Sequence, residues 1–291
     1  MQYWLWVFWG RLLVVKGEEM PNLTKQEETE KRRPVARHLG KAGFAAGLLV
    51  ILACTYLQYA IPGLNLVTGT LIVYGVPILV TSLIWGRTII FKALNRMYAA
   101  LKYGFGYFGI FTIIGIGASI LIIFLLTAFD PSAINLLNKP NPVLQVSPEL
   151  AWYMVGFSFL VVGPSEEYLF RGFVFGGLLD VSKGQHWLTL ALVSSVFFAA
   201  VHLYYAVVYG IASLVAFADL ITFGMAMAAT YYVSGGNLLV PAILHGAYDA
   251  TAYVSIATSS DIGVQLRDLM IVIGLVSALL VFSRKKPKRD M

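Results

Sequence analysis

The segment Gly163-Pro164-Ser165-Glu166-Glu167-Tyr168-Leu169-Phe170-Arg171 sets two carboxylates and a guanidinium inside an apolar stretch. Glu167 and Arg171 are four apart and can pair on one helix face. Glu166 lies about 100° round the same helix, free to point elsewhere. A structural ion pair beside a proline kink accounts for Glu167 and Arg171 and leaves Glu166 unexplained. Pro164 cannot donate to the carbonyl of Leu160, so the helix is expected to kink or restart there; a restart would put Glu166 and Glu167 in its first turn, where the dipole favours a carboxylate. Further along, Phe198 and His202 form an i,i+4 pair, as do His245 and Asp249. A lone histidine in such a stretch is usually a hydrogen-bonded packing residue; two of them with carboxylates point to chemistry. A carboxylate and two imidazoles suit activation of water, with Glu166 as general base. The histidines could then coordinate a metal that acidifies the water, or donate hydrogen bonds to a developing oxyanion. No HExxH, no GxSxG serine and no charged neighbour of Cys54 is present, which excludes a helix-borne zincin and argues against serine and cysteine nucleophiles.

The elements that must position these groups are membrane helices. Of the 291 residues 58% are hydrophobic and 12% charged, and the mean hydropathy is +0.76. Soluble domains carry about 25% charged residues, so a soluble or disordered chain is excluded. Apolar runs of roughly 20 residues are long enough to cross the hydrocarbon core. The expected architecture is all-α, a polytopic bundle of about eight transmembrane helices near 42–62, 66–86, 105–129, 149–179, 187–207, 211–233, 237–257 and 268–283. Residues 3–15 read as an aromatic interfacial anchor, and 1–41 as a whole as that segment plus a charged cytoplasmic connector. Residues 42–148 read as non-catalytic transmembrane helices, 149–283 as the catalytic core and 284–291 as a basic cytoplasmic tail. The stretch from Arg87 to Lys102 reads as a basic amphipathic connector on the membrane surface. The first three spans carry no Asp, Glu, Lys, Arg or His, and the later ones carry Glu166, Glu167, Arg171, His202, Asp219, His245 and Asp249. Such groups are costly in a bilayer and usually face a protein interior.

Eighteen of the 21 Lys and Arg residues fall on one side of an eight-span topology, which places both termini in the cytoplasm of a multi-pass cell-membrane protein. The net charge of +6 is therefore a signature of orientation and no nucleic-acid partner is expected. Counting residues from the 181–186 connector puts Glu166 and His202 at a common depth of about 21–23 Å, with Asp249 at about 20 Å from the same side and His245 one turn shallower. One site built from three helices follows. Asp219 reads as a hydrogen-bonded interior residue.

EExxxR at Glu166-Glu167 to Arg171, FxxxH at Phe198 to His202 and HxxxN/D at His245 to Asp249, in this order on successive helices, resemble the CPBP family of intramembrane proteases, which includes the type II CAAX prenyl endopeptidases. The run Glu-Glu-Tyr-Leu-Phe-Arg-Gly is similar to its prokaryotic branch. The resemblance covers about 150–255, and nothing before Asp130 contributes to it. It implies an endopeptidase that cleaves membrane-associated substrates, prenylated CAAX-type proteins among them, with membrane lipid and a peptide or lipidated protein as partners. By the same resemblance Glu166 and His202 activate water, His245 and Asp249 stabilise the oxyanion or complete the site, and Glu167 and Arg171, with Phe198, hold the local structure. Asp249 stands where many members have Asn, which leaves metal ligation or orientation of His245 as its alternatives. The resemblance is compatible both with a metalloprotease using a divalent metal such as zinc and with a metal-independent Glu/His mechanism. Readings from other classes are an ion- or proton-coupled transporter, against which no inverted repeat is evident, and a non-catalytic scaffold, against which the three motifs are intact.

Overall fold

The computed structural model describes residues 40–61, 63–182 and 185–283. The expected N-terminal anchor, nearly all of the charged connector and the basic tail lie outside the described residues. Among the described residues there is no strand. The main helices are α1 (Gly40–Ala60), α2 (Leu66–Lys92), α3 (Met97–Phe129), α4 (148–181), α5 (Trp187–Ala200), α6 (Ser213–Val233), α7 (Leu239–Thr258) and α8 (Ile262–Phe282). The all-α membrane bundle expected from the sequence is the fold observed.

By length and apolarity, five described helical stretches could cross a membrane: Gly40–Ala60, Leu66–Lys92, Met97–Phe129, Tyr204–Val233 and Ile262–Phe282. The expected count of about eight stands at five on that measure. The helices that fall short are α4, α5 and α7, which carry the charged residues or, for α5, are only 14 residues long. Leu49, Val67, Leu83, Phe91, Phe124 and Leu160 are exposed on the outside of the bundle, where an apolar surface suits lipid.

Two helices contain an interior proline, and both widen just before it. In α2 the π-helical turn Leu71–Gly75 precedes Pro77, and in α4 the π-helical turn Ser158–Val162 precedes Pro164. A proline lacks the N–H that an α-turn needs, and a turn closed at i→i+5 accommodates the loss. Of the kink or restart expected at Pro164, the restart does not occur. Helix α4 runs on through Gly163–Glu166 into a second π-helical stretch, Glu167–Phe175, with right-handed helical backbone at each junction. Its start is fixed by Ser147, whose Oγ accepts from the Leu150 N–H at 3.3 Å, with Pro148 at the first helical position.

Two glycines let α4 and α7 approach closely. A Cβ on Gly163 would lie 2.5 Å from the Ala242 carbonyl oxygen, and one on Gly246 would lie 2.8 Å from Phe159 Cα. Small residues at such crossings bring backbones together, and here they seat Glu166 and Glu167 against His245. One buried cluster, including Ile51, Ile84, Leu169, Phe173, Phe175 and Phe198, packs α1, α2, α4 and α5; another, including Phe108, Met227 and Leu244, packs α3, α6 and α7.

Two expected connections change. The reading of Arg87 to Lys102 as a surface connector is corrected: Arg87 and Lys92 belong to α2 and Lys102 to α3, and the break is only the turn around Arg96, whose φ is 42°. The apolar residues Ile89, Ile90 and Phe91 carry α2 through that stretch. The fifth span was expected to run to 207, whereas α5 ends at Ala200 and His202 lies in the turn before the short helix Tyr204–Tyr209. The His202 Nδ1 sits 2.8 Å from the Phe198 carbonyl oxygen, taking up one of the acceptors freed at the helix end.

Candidate active site

Five of the residues singled out in the sequence form one directly connected group, four of them buried and the fifth, Asp249, partly exposed. Glu166, Glu167, Arg171 and His245 are 7%, 0%, 1% and 3% exposed. Glu167 Oε1 lies 2.9 Å from Arg171 Nη1 and accepts from His245 Nδ1 at 2.7 Å. The other ring nitrogen, His245 Nε2, lies 3.6 Å from Glu166 Oε2 and 3.4 Å from Asp249 Oδ2. The two charged i,i+4 pairs expected from the sequence are thus present, and Glu167 joins them. The Glu167–Arg171 pair is close without being aligned as a hydrogen bond, since Arg171 Nη1 and Nη2 and Glu167 Oε2 are buried without such partners. The guanidinium instead lies over the Phe198 ring, 4.6 Å from its centroid, a cation–π arrangement.

Phe198 also holds the second histidine. Its ring meets His202 edge-on at 4.9 Å between centroids and His245 at 6.0 Å. His202 therefore joins the group through Phe198 and through the cavity that both histidines line. A carbonyl oxygen only accepts, so the contact with Phe198 requires a proton on His202 Nδ1 and leaves Nε2 as the ring's accepting nitrogen in the neutral form.

Sequence reasoning missed Tyr74. Its hydroxyl donates to Glu166 Oε1 at 2.7 Å from the π-helical turn of α2. The wide turn in α2 thus supplies a neutral donor to the site from outside the stretch that carries the motifs. Asp219 accepts from Ser119 Oγ at 2.9 Å, as expected of a hydrogen-bonded interior residue, and it also lines the cavity.

The cavity has a volume of about 860 Å³, and Glu166, His202, His245 and Asp249 share its wall with Tyr59, Tyr74, Tyr204 and Tyr205. A carboxylate with one oxygen held by a phenol and the other facing an imidazole is oriented to take a proton from a water in that space. A metal fits less well. Among the described residues no group of three or more His, Cys, Asp or Glu side chains is placed to hold one.

No curated protein and no solved structure gives a significant match to the chain. One family model does, that of the type II CAAX prenyl endopeptidases, Rce1-like, over residues 148–251. That stretch begins at the first residue of α4 and ends two residues after Asp249, so it holds every residue of the three motifs. Over residues 148–251 this multi-pass helical membrane protein is thus similar to the Rce1-like type II CAAX prenyl endopeptidases.

Proposed function

We propose that the protein is an endopeptidase that hydrolyses peptide bonds of membrane-associated substrates with a water activated by Glu166 and His202. The observation that carries this is the setting of Glu166 at the cavity wall, between the Tyr74 hydroxyl at 2.7 Å and His245 Nε2 at 3.6 Å. In this reading the Glu166 carboxylate takes a proton from water as its oxygen bonds to the scissile carbonyl carbon. His202 Nε2 accepts the water's second hydrogen bond and fixes its orientation. The tetrahedral oxyanion collapses as the C–N bond breaks, and Glu166 returns its proton to the leaving amine. Asp249 holds His245 Nε2, and Glu167 holds Nδ1 of the same ring, so the ring facing Glu166 has one orientation. Arg171 compensates the buried charge of Glu167.

Purified protein is expected to cleave a quenched, membrane-anchored peptide, with prenylated and unmodified versions tried side by side. Glu166→Gln and His202→Ala should each lose cleavage by at least a hundredfold while keeping the wild-type melting temperature, in line with the loss of a positioned general base. Wild-type rates in both variants would remove the peptidase reading.

A further inference from the structure

Glu166 is held by a tyrosine from α2, a helix outside residues 148–251, and α1 has a tyrosine at the turn that carries His202. We infer that Tyr56 of α1 is a positioning residue for His202: its phenol ends α5 at Ala200, and that break fixes where the imidazole stands and which of its nitrogens carries the proton. The catalytic half of this inference rests on the peptidase reading above.

The local sequence gives α5 no reason to stop where it does. Neither glycine nor proline occurs from Ala200 to Tyr209, and Val201, His202 and Leu203 would continue an apolar helix. In a continued α-helix the Phe198 carbonyl would accept from the His202 N–H, and the Ala200 carbonyl from the Tyr204 N–H. The structure has neither arrangement. The Tyr56 hydroxyl donates to the Ala200 carbonyl at 2.5 Å, and the backbone donor to that carbonyl is the Leu203 N–H at 3.3 Å. The His202 N–H turns to the Ala199 carbonyl at 3.0 Å, which leaves the Phe198 carbonyl to the ring's own Nδ1 at 2.8 Å.

The carbonyls at a helix end lack intrahelical donors, and in apolar surroundings water does not replace them. Tyr56 supplies one such donor from another helix. Without its hydroxyl the Ala200 carbonyl keeps only the long bond from Leu203, and it gains by accepting from the Tyr204 N–H through one more α-turn. That extra turn returns the His202 N–H to the Phe198 carbonyl and releases Nδ1. Helix α1 makes a second contact with the same segment, since the Tyr59 ring meets that of Tyr204 at 6.0 Å between centroids.

The chemical consequence lies in the tautomer. While Nδ1 faces a carbonyl it must carry the proton, and the neutral ring then presents Nε2 as an acceptor for water. Phe198 and Tyr205 bracket the ring, the first edge-on at 4.9 Å and the second stacked at 6.3 Å between centroids. Release of Nδ1 would let the proton move to Nε2, and the acceptor would be lost. Tyr56 lies outside the cavity wall, so removing its hydroxyl takes no contact from a bound substrate.

The test compares full-length wild type with Tyr56→Phe, which keeps the ring and removes the hydroxyl. Cleavage of an anchored quenched peptide is measured beside a melting curve and the nitrogen NMR spectrum of protein labelled with ¹⁵N-histidine, the His202 signals being assigned by their loss in His202→Ala. The wild type is expected to hold His202 with the proton on Nδ1, and Tyr56→Phe to show a mixture with the Nε2 form. In Tyr56→Phe kcat should fall by about tenfold, the scale of one hydrogen bond, with KM unchanged. In a His202→Ala background the same change should cost nothing further. A wild-type kcat, a tautomer unchanged from wild type, or a lowered melting temperature with full activity per folded molecule overturns the inference. Full activity in His202→Ala removes the role given to His202 in the peptidase reading and the catalytic half with it, while the spectrum still decides whether Tyr56 sets the ring.

Discussion

Tyr74→Phe removes one oxygen atom and tests whether the phenol positions Glu166. The hydroxyl donates to Glu166 Oε1 at 2.7 Å, a length typical of a hydrogen bond to a charged acceptor. Such bonds are worth about 1.5–3 kcal/mol, and a tenfold change in rate is about 1.4 kcal/mol. If the whole bond serves to hold the base, kcat should fall by about tenfold to a hundredfold. KM should move little, since the ring and its packing remain. The assay is cleavage of an anchored quenched peptide by purified protein, with a melting curve beside it. A positioning residue has a further signature. In a Glu166→Gln background, Tyr74→Phe should cost almost nothing more, because there is no carboxylate left to orient. A variant with wild-type kcat, or one whose effect adds in full to that of Glu166→Gln, would refute the assignment. A collapse in melting temperature with proportionate loss of folded protein would instead make Tyr74 a purely structural residue.

Arg171→Met leaves Glu167 buried without its cation, and a loss of about 3–5 kcal/mol is expected, read as a lowered melting temperature and poor yield in detergent. The double variant Arg171→Met with Glu167→Gln should recover part of that stability without recovering activity, because His245 Nδ1 keeps a weaker acceptor. Asp249→Asn preserves an oxygen facing His245 Nε2 and should stay within about tenfold of wild type, whereas Asp249→Ala should lose more. Gly163→Val forces α4 away from the Ala242 carbonyl and should abolish cleavage even in the fraction that folds, as judged by circular dichroism. Chelator treatment should leave cleavage unchanged, in keeping with the absence of a three-ligand group among the described residues; loss restored by added zinc would reassign the histidines as ligands.

Much of the site was legible because charge in an apolar chain is conspicuous. Glu166, Glu167, Arg171, His202, His245 and Asp249 stand out against spans that otherwise carry almost nothing polar, and i,i+4 spacing pairs Glu167 with Arg171 and His245 with Asp249. What linked the pairs was not legible. The contact between Glu167 and His245 depends on how closely α4 and α7 cross, which Gly163 and Gly246 decide. Tyr74 was hidden because a tyrosine in an uncharged span looks like any other aromatic; the signal that could have found it is the neighbouring Pro77, the counterpart of Pro164. The end of α5 was misjudged because Val201, His202 and Leu203 continue the apolar pattern, and the side-chain hydrogen bond that ends the helix has no signature in hydropathy.

The wide turns before Pro77 and Pro164 make this site tolerant of residue count at those two places. A π-helical turn holds one residue more than an α-turn of the same span. Deleting a single residue between Ser158 and Val162 would let the turn close as ordinary α-helix. The flanking stretches would keep their facing, with Glu166 at the cavity wall and Glu167 against His245, at the cost of the hydrogen bond that Pro164 cannot donate. A deletion in an ordinary α-helical stretch has no such slack, and it turns one side by about 100° relative to the other. A relative of this protein that lacks one residue within the wide turn is therefore expected to keep its site, whereas a motif search alone would not tell it from one that lacks a residue in an ordinary α-turn of the helix.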